Sequence, residues 1–245
     1  MKLDAFALTA TGRRTSNEDA VCARPDLGLF VVADGMGGYE GGEIASQVAV
    51  ATIEELVART ASDQDVTWPY RIDPARGVVE NEVAVATRLA GERIAARRHG
   101  PLAQMGSTVA VLRVDDARAV IGHVGDSRVY RLRGGVVEQL TIDHSLWAQL
   151  VATGAELPER EDFPYRHVVT RALGTPSGDH DLRVEPLARG DVFLLCSDGL
   201  SEVLDEAQLA ALLALPAQAA CHALVAAAYQ AGSRDNISAV VVRVA

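Results

Sequence analysis

The stretch Phe30-Val31-Val32-Ala33-Asp34-Gly35-Met36-Gly37-Gly38 decides how the rest of the chain is read. A short apolar run rich in β-branched residues reads as a buried strand, so Asp34 falls where the chain leaves the sheet. The glycines behind it let the backbone turn and come close to a bound group. A carboxylate beside an accessible backbone carbonyl offers hard oxygen ligands, which suit Mg²⁺ or Mn²⁺ better than zinc. One Asp-Gly alone is an ordinary turn. Here the arrangement recurs: Leu194-Leu195-Cys196-Ser197-Asp198-Gly199, then Val120-Ile121-Gly122-His123-Val124-Gly125-Asp126, and Gly232-Ser233-Arg234-Asp235-Asn236 ahead of the last apolar run. Carboxylates at four strand ends can converge on one rim.

Upstream, Ala5 to Thr11 alternates as a first strand. The polar cluster Arg13-Arg14-Thr15-Ser16-Asn17-Glu18-Asp19 follows, and it reads either as a solvated salt-bridged turn or as part of a site. A hairpin through Asp26-Leu27-Gly28 would bring it beside the Asp34 strand. Downstream, Gly41-Gly42-Glu43 opens a helical pattern through Ile44, Val48, Ile53 and Val57, and a second helix is expected from about Ala75 to Arg98. The middle of the chain is β-rich, with strands at 107–114, 118–124, 128–133 and 136–140 read as antiparallel hairpins from their turn residues. Segments 181–186 and 191–196 are expected to form a further pair. Helices follow from Asp205 and Ala217, and Ile237 to Val244 is the closing strand. Residues 154–178, rich in Pro and charge, read as a loop-rich flap.

The chain of 245 residues is long enough for a substantial core, and no linker or repeat divides it. Its 23 Lys and Arg against 33 Asp and Glu leave a formal charge of −10, with no long basic block. Nucleic acid, which is met by a cationic face, is therefore not an expected partner. An acidic chain can still hold a phosphorylated substrate if metal ions reverse the local charge. The three cysteines contain no C-x-x-C pair, and no apolar run approaches a membrane span, so the expected setting is a reducing cytoplasm. Clustered carboxylates repel one another unless cations join them. Two Mg²⁺ or Mn²⁺ ions can hold and activate a bridging water and aim it at phosphorus, with an arginine fork, here Arg14, on the phosphoryl oxygens. An aspartyl-nucleophile phosphatase would need an Asp-x-Asp strand end, which is missing. A binding module that had lost catalysis would be marked by a missing metal carboxylate.

In order, the chain carries Arg14-x-x-Asn17-Glu18-Asp19, Asp34-Gly35-Met36-Gly37-Gly38, Met105-Gly106-Ser107-Thr108, Val124-Gly125-Asp126-Ser127-Arg128, Leu140-Thr141-x-Asp143-His144-Ser145, Thr170-Arg171-Ala172-Leu173-Gly174, Cys196-Ser197-Asp198-Gly199-Leu200 and Ser233-Arg234-Asp235-Asn236-Ile237. With these motifs it resembles the metal-dependent protein serine/threonine phosphatases of the 2C type, the PPM family, in their bacterial form, over essentially its whole length. The resemblance implies an α+β fold, a four-layer α-β-β-α sandwich of two antiparallel sheets flanked by helices. It implies one domain over 1–245 with a flap at roughly 145–178.

The same resemblance implies two Mn²⁺ or Mg²⁺ ions and a possible third. Asp34 would bridge the pair, with the Gly35 carbonyl on the second ion and Asp198 and Asp235 completing the first site. Glu18 and Asp19 would support the second site, directly or through water. Asp126 matches a third, weaker site, and Arg14 matches the phosphate-binding arginine. The implied reaction is hydrolysis of phosphoserine and phosphothreonine in proteins by a metal-bridged water, reversing a eukaryotic-like Ser/Thr kinase, in a cytoplasmic monomer.

Met36 stands where animal-type relatives carry a proton-donating histidine, and Tyr39 stands where bacterial relatives often have one. His144 reads as a structural histidine bonded to backbone or as a proton donor. Trp147 reads as filler or as a substrate contact, and Arg128, Arg131 and Arg133 as a solvated strand face or a substrate patch. Arg171 and Arg234 are expected to hold carboxylates in place, and Asn236 to support the ligands.

Overall fold

The computed structural model describes residues 2–38, 41–63, 67–115 and 117–245; Tyr39 and Asp116 lie outside them. One antiparallel sheet runs in the order β1 (Leu3–Ala10), β11 (Ile237–Val244), β10 (Val192–Cys196), β7 (Arg128–Arg133) and β8 (Val136–Gln139). The other runs β2 (Asp19–Arg24), β3 (Leu29–Met36), β5 (Val109–Val114), β6 (Arg118–Val124) and β9 (Asp181–Pro186), with the short β4 (Gly106–Ser107) paired to the end of β3. The expected hairpin forms: β2 lies against β3 with Asp19 opposite Asp34.

Strand alternation builds three apolar layers. Successive side chains of a strand point to opposite faces. Thus Phe30 and Val32 of β3 meet Phe193 and Leu195 of β10 and Val240 and Val242 of β11 between the sheets. Leu29, Val31 and Ala33 point the other way, onto the helices α1 (Gly41–Ser62) and α2 (Val78–Ala95). Leu194, Cys196, Ala239 and Val241 face α5 (Glu206–Leu213) and α6 (Ala217–Gln230). Each fully buried Phe or Leu contributes about 1.5–3 kcal/mol, so the central strands, buried on both faces, hold the four layers together. Helix α1 buries Ala45, Val48, Ala49, Thr52, Ile53, Leu56 and Val57 at the spacing of a helical stripe. Helix α2 starts later than its periodicity suggests, because the Asn81 amide holds the carbonyls of Asp73, Arg76 and Gly77 in a preceding turn.

Two expected strand pairings do not form. Strands β6 and β7 are not a hairpin: β6 pairs with β5 and β9, β7 with β10 and β8, and Gly125-Asp126-Ser127 carries the chain from one sheet to the other. Strands β9 and β10 likewise belong to different sheets. A crossing and a hairpin can share the same turn residues; which one forms is set by which apolar faces the two strands must bury.

The arginines of β7 are not a solvated face. Arg131 is buried and bonds Glu185 of β9 at 2.9 Å and Glu138 of β8 at 2.6 Å, while Arg183 reaches the same two glutamates. This network closes the gap between the sheets where the apolar layer ends. Arg128 is buried too and grips Asp143 with two bonds, at 2.9 and 2.7 Å. All three cysteines are buried and unpaired, with burial pushing each thiol up to about 12, so they act as small apolar groups.

Candidate active site

At one end of the sandwich the sheets part around a cleft of about 670 Å³. The carboxylates of Asp34, Asp126, Asp198 and Asp235 line it together with Glu18, the Gly35 backbone and Arg14. Asp34 is still within β3, since the strand runs on to Met36, and its backbone is fixed from the β4–β5 side. Its N–H donates to Thr108 Oγ1, and its carbonyl accepts from the Thr108 N–H at 2.8 Å and the Ser107 hydroxyl at 3.0 Å. Asp126 rides on the turn from β6 to β7, where Gly125 has φ 98°. A Cβ there would lie 2.6 Å from the Thr108 methyl, so only glycine fits both the conformation and the space. Asp198 opens the short helix α4 (Asp198–Ser201) after β10, and Asp235 precedes β11.

The second close approach fixes Glu18. A Cβ on Gly35 would fall 1.9 Å from the Gly42 carbonyl oxygen, and one on Gly42 would fall 1.9 Å from Glu18 Oε2. The start of α1, the end of β3 and the Glu18 carboxylate therefore touch through glycine alone. Asn236 ties this corner to β11: its amide nitrogen donates to the carbonyls of Thr11 and Ser16, and its oxygen accepts from the Glu18 N–H at 2.8 Å.

Asp19 stands behind the cleft wall rather than in it. One carboxylate oxygen accepts from Ser197 at 2.8 Å and Ser238 at 2.6 Å, while the other is buried with no hydrogen-bond partner. Burial lifts Asp19 to about 6 against those two hydrogen bonds, and lifts Asp126 to about 6 with help from the Asp143 charge. Asp34 and Asp198 are pushed well above the ordinary carboxylate range. Burial is the main cause for both; Asp19 and then Asp198 add to it at Asp34, and Asp126 and then Asp235 at Asp198. Asp198 Oδ1 is also buried and unpartnered. Of the four strand-end carboxylates, Asp235 alone has an ion-pair partner among the described residues, Arg14 at 2.6 Å. The donors are all hard oxygens, two of them buried without a hydrogen bond, and they fit a pair of Mg²⁺- or Mn²⁺-like ions.

His144 is a backbone clamp. Its Nδ1 accepts from the Gly125 N–H at 3.1 Å, its own N–H donates to the Gly125 carbonyl, and its ring stacks on His123 at 4.5 Å. Nε2 faces Asp181 at 3.2 Å. His144 thus holds the turn that carries Asp126. Trp147, on α3 (Leu146–Ala152), donates to the Pro158 carbonyl at 3.4 Å inside the 145–178 segment. Arg171 holds Asp181 at 2.8 Å, as expected of it, whereas the exposed Arg234 side chain has no partner among the described residues and holds no carboxylate. Sequence reasoning missed His167, which reaches the cleft from the 145–178 segment with Nδ1 3.2 Å from Glu202 Oε1. No local pattern marks a lone histidine in a loop.

Two antiparallel sheets between helix layers, opening at one end on a carboxylate-lined cleft, define a class of four-layer sandwich proteins. Residues 10–227 match the family described as protein phosphatase 2C, and the chain belongs to that family. It is 35% identical over 232 residues to the serine/threonine protein phosphatase PstP of Mycobacterium tuberculosis, covering 93% of this chain and 42% of that protein. It therefore spans less than half the length of that relative. It is 32% identical over 245 residues to the protein phosphatase PhpP of Streptococcus pneumoniae, covering 96% of this chain and 95% of the other. The crystal structure of the PstP catalytic domain in complex with two manganese ions superposes with a TM-score of 0.83 at 31% identity, covering 98% of this chain and 97% of that one.

Proposed function

We propose that this chain is a metal-dependent phosphatase that hydrolyses phosphoserine and phosphothreonine in proteins and reverses a eukaryotic-like Ser/Thr kinase. One observation carries the reading: four carboxylates from separate strand ends line one cleft, and only Asp235 has a cationic partner among the described residues. A fold that brings such charges together without arginines costs stability unless divalent cations join them. The manganese pair in the PstP catalytic domain supports the same chemistry.

Two such ions, when bound, supply an activated water and offset the charge of the phosphate. In this reading Asp34 would serve both ions, the Gly35 carbonyl would help hold one of them, and Asp198 and Asp235 would help hold the other. Glu18, which lines the cleft, would be the direct ligand, while Asp19, bonded to Ser197 and Ser238, stands behind the wall. Asp126 serves a third, weaker position. Arg14 stands at the mouth with 58% of its side chain exposed, held by Asp235, where its guanidinium fork can take two phosphoryl oxygens. Met36 lines the cleft and donates no proton.

The reading includes a cytoplasmic monomer, one catalytic domain over 1–245 and a flap at roughly 145–178. No helix among the described residues is long and apolar enough to cross a membrane. The test is hydrolysis of p-nitrophenyl phosphate and of a phosphothreonine peptide by the purified chain with Mn²⁺, and its loss on chelation. If neither substrate is turned over at saturating Mn²⁺, the reading fails.

A further inference from the structure

A second cleft, of about 910 Å³, runs on from the first and shares Arg14, His167, Asp198 and Asp235 with it. In a chain of net charge −10, it is lined by five arginines: Arg14, Arg128, Arg160, Arg166 and Arg234. They are not equally committed. Arg128 is bound to Asp143 and Tyr130. Arg160 stands 3.5 Å from Asp143 and 3.7 Å from Glu202, beyond hydrogen-bond length, and its Nε is buried without a hydrogen-bond partner. Arg234 is exposed and has no side-chain partner among the described residues. Elsewhere the fold pairs its arginines closely, as at Arg24, Arg93, Arg118, Arg131 and Arg133. Arg160 and Arg234 are under-used by comparison, and both stand on this cleft.

We propose that this arginine-lined cleft is a specificity site, which holds a second anionic group, phosphate or carboxylate, on the same polypeptide whose phosphoresidue is hydrolysed in the first cleft. The inference rests on the phosphatase reading above. Three observations carry it. The two clefts are continuous through Arg14, so one substrate segment can occupy both. The acidic residues of the shared wall, Asp198 and Asp235, belong to the carboxylate cluster of the first cleft, and Glu202 already faces His167 and Arg160, which leaves the arginine side positive. Finally, the guanidinium fork matches phosphate and carboxylate geometry, and an anion near Arg160 would give its buried Nε a partner. An extended chain advances about 3.3–3.6 Å per residue, so the second anion is expected within a few residues of the first.

The test is steady-state kinetics of the manganese-loaded protein on phosphothreonine peptides of one sequence. They carry a neutral residue, a glutamate or a second phosphothreonine at successive positions on either side, with the cleaved site mapped by mass spectrometry. At one or more positions the second anion is expected to lower KM about threefold to tenfold, the scale of a partly exposed charged hydrogen bond, and less so at high salt. Equal effects of glutamate and phosphate identify a general anion site, and an effect of phosphate alone identifies a phosphate site; both support the proposal. In Arg234→Ala with Arg160→Ala the advantage should vanish while p-nitrophenyl phosphate turnover stays within about twofold, and Arg234→Lys should retain part of it. No anion advantage at any position, or one that survives the double variant, overturns the proposal and leaves the phosphatase reading intact. If the parent fails on p-nitrophenyl phosphate, both fall together.

Discussion

At the two ends of β10 the chain sets an aspartate, Asp191 before the strand and Asp198 after it, and the fold treats them in opposite ways. Asp191, whose side chain is fully buried, accepts two bonds from Arg133, at 2.6 and 2.7 Å, and one from the Ala188 N–H. Burial alone would push it up, but those donors carry it below the ordinary carboxylate range. Asp198 meets Asp126 and Asp235 instead, and burial and repulsion together push it well up. One end of the sheet is neutralised by the protein's own arginines; the other carries negative charge left for something else to balance. Satisfied acids build the scaffold here, and unsatisfied ones mark the working end.

The contrast can be broken most sharply at Asp34. Asp34→Asn should lower phosphatase turnover by about 10³-fold or more, the scale on which loss of an electrostatic element of catalysis is felt. In chelator the same variant should melt at a higher temperature than the parent near pH 7.5, because a charge that resists burial is gone. Near-normal turnover would remove Asp34 from the centre of the site.

At the scaffold end the sign reverses. Arg133→Met keeps the stem but strands a buried carboxylate, and should cost about 3 kcal/mol in urea denaturation near neutral pH, at the low end for a buried pair because Arg133 is partly exposed. The folded pKa of Asp191 lies below its unfolded value, so the stability that this pair contributes is present at neutral pH and is lost as pH falls through the acid range. The cost of the variant should shrink accordingly. An unchanged urea midpoint would show that the pairing holds nothing.

The smallest effect is the pH dependence of the site itself. Asp19 and Asp126 are raised from the ordinary 3.8 to about 6, so between those values the folded chain binds more protons than the unfolded one. Their contribution to the stability of the metal-free protein therefore falls as pH rises through that window. Mn²⁺ should raise the Tm by a few degrees near pH 7.5 and by less near pH 5, where protons compete for the same oxygens. Equal shifts at both pH values, followed by scanning calorimetry, would mean that the ions bind elsewhere.

Much of this was legible in the chain. The buried strand that carries Asp34, the β2–β3 hairpin, both long helices and the closing strand all follow from local periodicity, and the placing of the other acids beside strand ends follows with them, although β3 runs two residues past Asp34. The pairing of β6 with β9 and the crossing at Asp126 were not legible, because Gly125-Asp126-Ser127 looks like any tight turn. The burial of Arg128 and Arg131 was equally hidden. Alternation with apolar neighbours marks one face of a strand as different from the other, but does not say whether that face meets water or a row of glutamates on another sheet.

By itself the sequence determined which segments form strands and helices, and that acids stand near strand ends in an order that resembles one phosphatase family. Those are consequences of short-range sterics and of the two-residue and 3.6-residue periods. Only the tertiary structure decided that Asp19 sits behind the wall while Glu18 lines it, that His144 clamps the turn under Asp126, and that Arg234, beside a second cleft, has no side-chain partner among the described residues. These are settled by contacts between residues distant in sequence, where burial and charge balance depend on what the rest of the fold brings near.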